Sequence, residues 1–163
     1  MSNASAVATF LAQCTTLVKK APHFLLHTDL CPRSTNQLIE ISSHCVSNGD
    51  TYAAKHGALF LTHYFQVDSP SVKRQVEFYG PLVIEACFLR LKTEISTALV
   101  NQVADVLFIL WSKYPNFWIN WRTLTVCQND CVAKMFREIN NKMKYRELAR
   151  QININCRKGL LLI

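Results

Sequence analysis

Three pairs of side chains in this 163-residue chain have the types and spacing from which chemistry could be built. Cys127 and Cys131 lie one helical turn apart, as do His23 and His27, and either pair could supply two ligands to a metal. Structural zinc needs four well-spaced ligands, and no second Cys or His pair follows either one, so no metal site is expected. His44 next to Cys45 contains the parts of a thiolate–imidazole couple, but a buried thiol is the simpler reading. The chain has no glycine-rich phosphate loop, no Gly-x-Ser-x-Gly elbow and no His-Glu-x-x-His. Its carboxylates are few and are not paired as general acid and base. The expectation is a protein without catalytic residues, cofactor or metal.

The strongest chemical signal is charge. Of the net +7, +6 falls between Lys134 and Lys158, where eight basic and two acidic side chains occur, leaving +1 for the rest. Lys142, Lys144, Arg146, Arg150, Arg157 and Lys158 are the candidate partner-binding residues. Such a surface suits an acidic protein face, a phosphate-bearing peptide or RNA. A solvated terminal helix whose cations favour the C-terminal end of the helix dipole explains the same charge. Aromatic interleaving and an RNA-binding fingerprint are missing, which makes nucleic acid the weaker partner.

The elements that must position these groups are helices. Apolar residues at steps of three and four mark a helix over residues 3–20, with Val7, Phe10, Leu11, Cys14, Leu17 and Val18 as its stripe. A second helix is expected from about Ser34 to Ser47, facing inward with Leu38, Ile41 and Cys45. Asp50 is placed to cap a third over Thr51 to Gln66, burying Ala54, Ala58, Leu61 and Phe65. Ser69-Pro70 opens a fourth helix as N-cap and first helical residue. It carries Val72, Val76, Leu82 or Val83, Ala86 and Leu89, and Pro81 is expected to kink or break it. Thr93 to Ser96 caps a fifth, with Leu99, Val103, Val106, Leu107 and Leu110 inside. After Tyr114-Pro115 comes a short aromatic helix with Phe117, Trp118, Trp121 and Leu124; these rings are read as core, Trp118 being the one expected to be partly exposed. A last helical stretch runs from Asn129 or Asp130 to about Arg157, with Val132, Phe136, Ile139, Met143, Leu148, Ile152 and Cys156 along one side.

No strand pattern interrupts this series, and 4 Gly and 5 Pro are few for the turns of an all-β fold. The fold class expected is all-α, with about seven to eight helices. Grouped as pairs over roughly 2–48, 50–91, 93–124 and 130–157, they have the lengths of HEAT or armadillo hairpins, although a globular helical bundle fits the same pattern. Apolar runs such as Val106 to Trp111 are too short to span a membrane. Seven scattered cysteines and an N-terminus without a basic, apolar leader suggest reduced thiols in the cytoplasm and nucleus.

Several ordered stretches carry a family resemblance. Lys55-His-Gly-Ala-Leu-Phe-Leu-Thr, Asp68-Ser-Pro-Ser-Val-Lys and Val103-Ala-Asp-Val-Leu-Phe-Ile-Leu are joined by Met135-Phe-Arg-Glu, Asn140-Asn-Lys and Cys156-Arg-Lys-Gly-Leu160. Together they resemble the C-terminal part of the importin 13 and transportin 3 branch of the karyopherin-β nuclear transport receptors. The resemblance covers about the last two thirds of the chain. It implies an α-solenoid of HEAT repeats, a concave face for protein cargo and apolar slots for phenylalanine–glycine nucleoporins. It also implies Ran-GTP binding by N-terminal repeats of a full-length receptor, repeats with no counterpart here. The chain is thus expected to be a C-terminal segment. Its end, Leu160-Leu-Leu-Ile163, is apolar where the family's tail is polar. The alternative expectation is a free-standing helical scaffold that binds an acidic partner or RNA through the basic stretch.

Overall fold

The computed structural model describes residues 3–21, 31–94, 96–120, 147, 148 and 150. They include six helices, α1 (Asn3–Lys20), α2 (Cys31–Asn48), α3 (Thr51–Phe65), α4 (Pro70–Thr93), α5 (Thr97–Lys113) and α6 (Pro115–Asn120), and the helical residues 147, 148 and 150. No strand occurs among the described residues, and the fold is all-α. This is fewer than the seven to eight helices expected; the final helical stretch lies largely outside the described residues.

Local chemistry sets the helix starts. Asp50 is extended and its carboxylate accepts from the Ala53 N–H at 2.8 Å, satisfying a donor that the first turn of α3 leaves unpaired. Ser69 caps α4 through the Ser71 N–H, with Pro70 in the first turn. Ser96 caps α5. The start of α2 comes one turn earlier than Ser34, because Pro32 sits in the first turn, where its missing N–H breaks no intrahelical bond. Pro81 does not break α4, which runs as one helix from Pro70 to Thr93.

The helices pack in an order that follows the chain. α1, α3 and α5 touch in series, α2, α4 and α6 do likewise, and α3 with α2, α4 with α3, and α5 with α4 and α6 link the two rows. The core between them holds Leu11, Ile39, Phe60, Leu61, Phe65, Ile84, Phe88, Leu91, Leu99 and Leu107.

Three positions expected on the inner stripes turn outward. Phe10 is 50% exposed because α1 packs principally on α3, and one neighbour covers only the strip of Ala8, Leu11, Thr15 and Val18. Ile41 is 40% exposed, since the inner face of α2 uses the small side chains of Ser42, Ser43 and Cys45. They are needed where α3 comes close: a Cβ on Gly57 would lie 2.7 Å from the Ser42 carbonyl oxygen. In α4, Val83 is buried, whereas Leu82 and Leu89 are exposed. Trp118, expected to be partly open, is instead buried. Phe117 is half-buried with its ring over Gly80 of α4, where any Cβ would strike it; Trp121 and Leu124 lie outside the described residues.

Polar contacts tie neighbouring helices within each row, and Gln75 also links one row to the other. The Gln75 amide on α4 donates to Thr35 Oγ1 at 2.7 Å and Asn36 Oδ1 at 2.8 Å on α2, and its oxygen accepts from the Tyr64 hydroxyl of α3 at 2.5 Å. Arg90, also on α4, donates to the carbonyls of Val46 (2.6 Å) and Gly49 at the end of α2 and pairs with Glu94 at 3.3 Å. It thereby satisfies acceptors that a helix C-terminus leaves open. The Tyr114 hydroxyl donates to the Phe65 carbonyl at 2.6 Å, tying the end of α5 to the end of α3.

Candidate protein-binding surfaces

Thiol chemistry finds no support in the described cysteines. Cys14, Cys45 and Cys87 are buried and unbonded, and burial raises the pKa of all three, Cys87 far above the ordinary thiol range. At Cys45 the Asp50 carboxylate adds to this by repelling a thiolate. His44 stands on the exposed side of α2, its Nδ1 3.5 Å from the Asn48 amide nitrogen, while Cys45 faces the core. The two are neighbours in sequence and not in direction. Among the described residues no group of three His, Cys, Asp or Glu side chains is placed to hold a metal. His23, His27, Cys127 and Cys131 lie outside them.

Of the six basic candidates, Arg150 alone is described. It is exposed, and its guanidinium lies against the Glu147 carboxylate, with Nε 3.0 Å from Oε2 and a terminal nitrogen 2.5 Å from Oε1. Leu148 between them is fully buried, which fixes this turn to the core. Lys142, Lys144, Arg146, Arg157 and Lys158 lie outside the described residues.

Three surface features remain, and helix packing produces each of them. The first is an open slot of about 520 Å³ where α1 and α2 both rest on α3. Its lining includes Val7, Ile41, Cys45 and Ala53, with Glu40, His44 and Asp50 at its polar edge. The slot is wide because α1 and α2 meet through α3 more than directly.

The second is a groove of about 600 Å³ between the α3–α4 turn and the α5–α6 junction. Ser69, Lys73, Lys113, Asn116 and Phe117 line it. Lys113 is already engaged there, with Asp68 at 2.7 Å and the Gln66 carbonyl. Tyr114, which also lines it, has its phenol pKa pushed up to about 12 by burial, with the negative charge of Asp68 and then Tyr64 adding to the effect.

The third is the outward strip of α4. Phe78 is 77% exposed, and Leu82 and Leu89 extend the same line. The exposed Glu77 and Glu85 belong to this strip and form no ion pair among the described residues. The Tyr79 hydroxyl beside it donates to Glu40 of α2, whose negative charge, after burial, helps to raise the phenol pKa.

Sequence reasoning located neither the slot nor the strip. Ile41 and Leu89 are apolar at core spacing, a pattern that points both inward. The available signal was that Ser42, Ser43 and Gly57 leave room for a close helix crossing only if the bulky residues face away. No helix among the described residues is long and apolar enough to cross a membrane. No protein-family model, curated protein or solved structure matches this chain.

Proposed function

We propose that this chain is a protein-binding segment of a helical-repeat nuclear transport receptor, corresponding to C-terminal repeats of the importin 13 and transportin 3 branch. The observation that carries the reading is the order of contacts: the six described helices pack mainly with those one and two places away, in two rows. A stack of helical hairpins requires that order, since each unit buries its apolar face only against its neighbours. On this reading the chain is an α-solenoid whose repeats bind protein cargo and shuttle between cytoplasm and nucleus. Ran-GTP engages other repeats of the full-length receptor.

The slot over α3 is the place for a phenylalanine–glycine nucleoporin repeat. Its apolar floor of Cys45 and Ala53 and walls of Val7 and Ile41 suit one aromatic ring, and binding there is weak because the slot is open. The test is titration of the whole chain with a phenylalanine–glycine repeat peptide. Binding should change little with salt and be suppressed by an aliphatic alcohol. Ile41→Asp should remove it without unfolding the protein, because Ile41 is exposed. Retention of full affinity in Ile41→Asp would reject the slot.

The concentration of +6 between Lys134 and Lys158 favours a second reading, a helical scaffold that uses this segment against an acidic partner or RNA. That partner would bind with an affinity falling log-linearly with salt as counterions are released. Replacing Lys142, Lys144, Arg146 and Arg150 with Glu should then abolish binding, and unchanged affinity in low salt rejects this role.

A further inference from the structure

The outer strip of α4 has the spacing of a helix-pairing seam. Phe78, Leu82, Glu85 and Leu89 follow one another at steps of four, three and four, which brings successive turns of a helix onto one line. The three apolar members are 77%, 44% and 50% exposed, while α2, α3, α5 and α6 cover other faces of α4. The strip runs about 16 Å along the helix, enough for three turns of a second helix to lie against it. Glu85 interrupts it at a position that pairing would desolvate, and Glu77 stands at its edge. Pro81 adds to the negative character here, because it has no N–H to give the Glu77 carbonyl.

Glu85 decides what can cover this strip. A second copy would set Glu85 against Glu85 in a parallel arrangement, or against Leu82 in an antiparallel one centred on the strip. Either removes a carboxylate from water without a cation, at a cost that outweighs the small apolar contact. A partner helix with a lysine or arginine opposite Glu85 turns the same carboxylate into the feature that sets partner and register. We propose that α4 presents a docking seam for one amphipathic helix of a partner protein, with heptad-spaced apolar residues and a basic residue in the seam facing Glu85. Phe78 and Leu89 anchor its two ends, Leu82 packs beside the ion pair, and Arg74 and Lys92 beyond the ends favour acidic residues on the partner's flanks. This goes beyond the transport reading and stands or falls separately from it.

The test uses the complete chain and three labelled synthetic peptides of three heptads each, with leucine at positions a and d. They differ only at the central d position, which is lysine, leucine or glutamate. Fluorescence anisotropy should show the lysine peptide binding at least about tenfold more tightly than either of the others. Glu85→Lys should invert the order of the lysine and glutamate peptides. Phe78→Asp should abolish binding of all three while leaving the far-ultraviolet circular dichroism unchanged, since Phe78 is largely exposed and loses only its edge contact with the neighbouring Tyr79 ring. Failure of the lysine peptide to bind overturns the proposal. So does equal affinity for the three peptides, or binding that survives Phe78→Asp.

Discussion

Gly57 and Arg90 show how single residues set the spacing of these helices. Glycine within a helix is disfavoured against alanine by about 1 kcal/mol, so propensity alone makes Gly57→Ala stabilising. The Cβ would nevertheless sit 2.7 Å from a backbone oxygen of α2 and 3.2 Å from Cys45 Cβ, and backbone cannot rotate aside. Overpacking of this kind costs about 1–3 kcal/mol, so Gly57→Ala should lower stability in urea unfolding. A stability equal to or above that of the parent protein would show that the crossing has slack. Arg90→Met keeps the aliphatic stem but strips donors from the Val46 and Gly49 carbonyls and removes the ion pair of Glu94, which keeps only the Ser96 N–H. The Arg90 side chain is only 13% exposed, so the expected loss is about 2 kcal/mol, measured in the same way.

Among the elements, α3 is the one on which α1, α2, α4 and α5 all pack, and it carries two titrating histidines. Burial lowers the pKa of His56 with help from the charge of Lys55, and that of His63 with help from Lys19 of α1. His56 is also held edge-on to the Tyr52 ring, with centroids 4.6 Å apart. Because the folded pKa values lie below the unfolded value of about 6.5, both histidines favour folding when neutral. Their contribution is present above pH 6.5 and is lost as pH falls from there through the folded values. Chemical unfolding across pH 5 to 8 should show this decline, and His56→Gln with His63→Gln should flatten it; an unchanged slope would assign the decline to other groups.

Elements were largely legible because their caps are explicit: Asp50, Ser69-Pro70 and Ser96 each open a helix where their side chains predict. Faces were less legible. Periodicity identifies apolar residues, but whether Ile41 or Ser42 faces inward depends on how closely a neighbouring helix approaches, a property of Gly57 on another element. Pro81 is expected to kink or break α4 because a proline removes one hydrogen bond; the helix is continuous, with buried Val76, Val83, Ile84 and Cys87 on either side holding it to the core. The candidate surfaces shared this fate. The apolar members of the slot and the α4 strip, such as Ile41 and Leu89, are of a type that suggests the core, and the basic candidates were legible only as charge.

For the molecule as a whole, the account makes the chain one stretch of a longer stack. α1 packs principally on α3, and Phe10 stands half open beside it. The isolated chain should therefore self-associate at micromolar concentration, and Phe10→Ser should weaken this in sedimentation velocity. A monodisperse monomer of the parent protein would count against an open stack. The most direct measurement is the size of the natural product, detected with an antibody raised against Lys134 to Lys158. The account predicts a single species far above 18.6 kDa, as a full transport receptor requires. A product running at 18.6 kDa would contradict it and leave a stand-alone helical scaffold in its place.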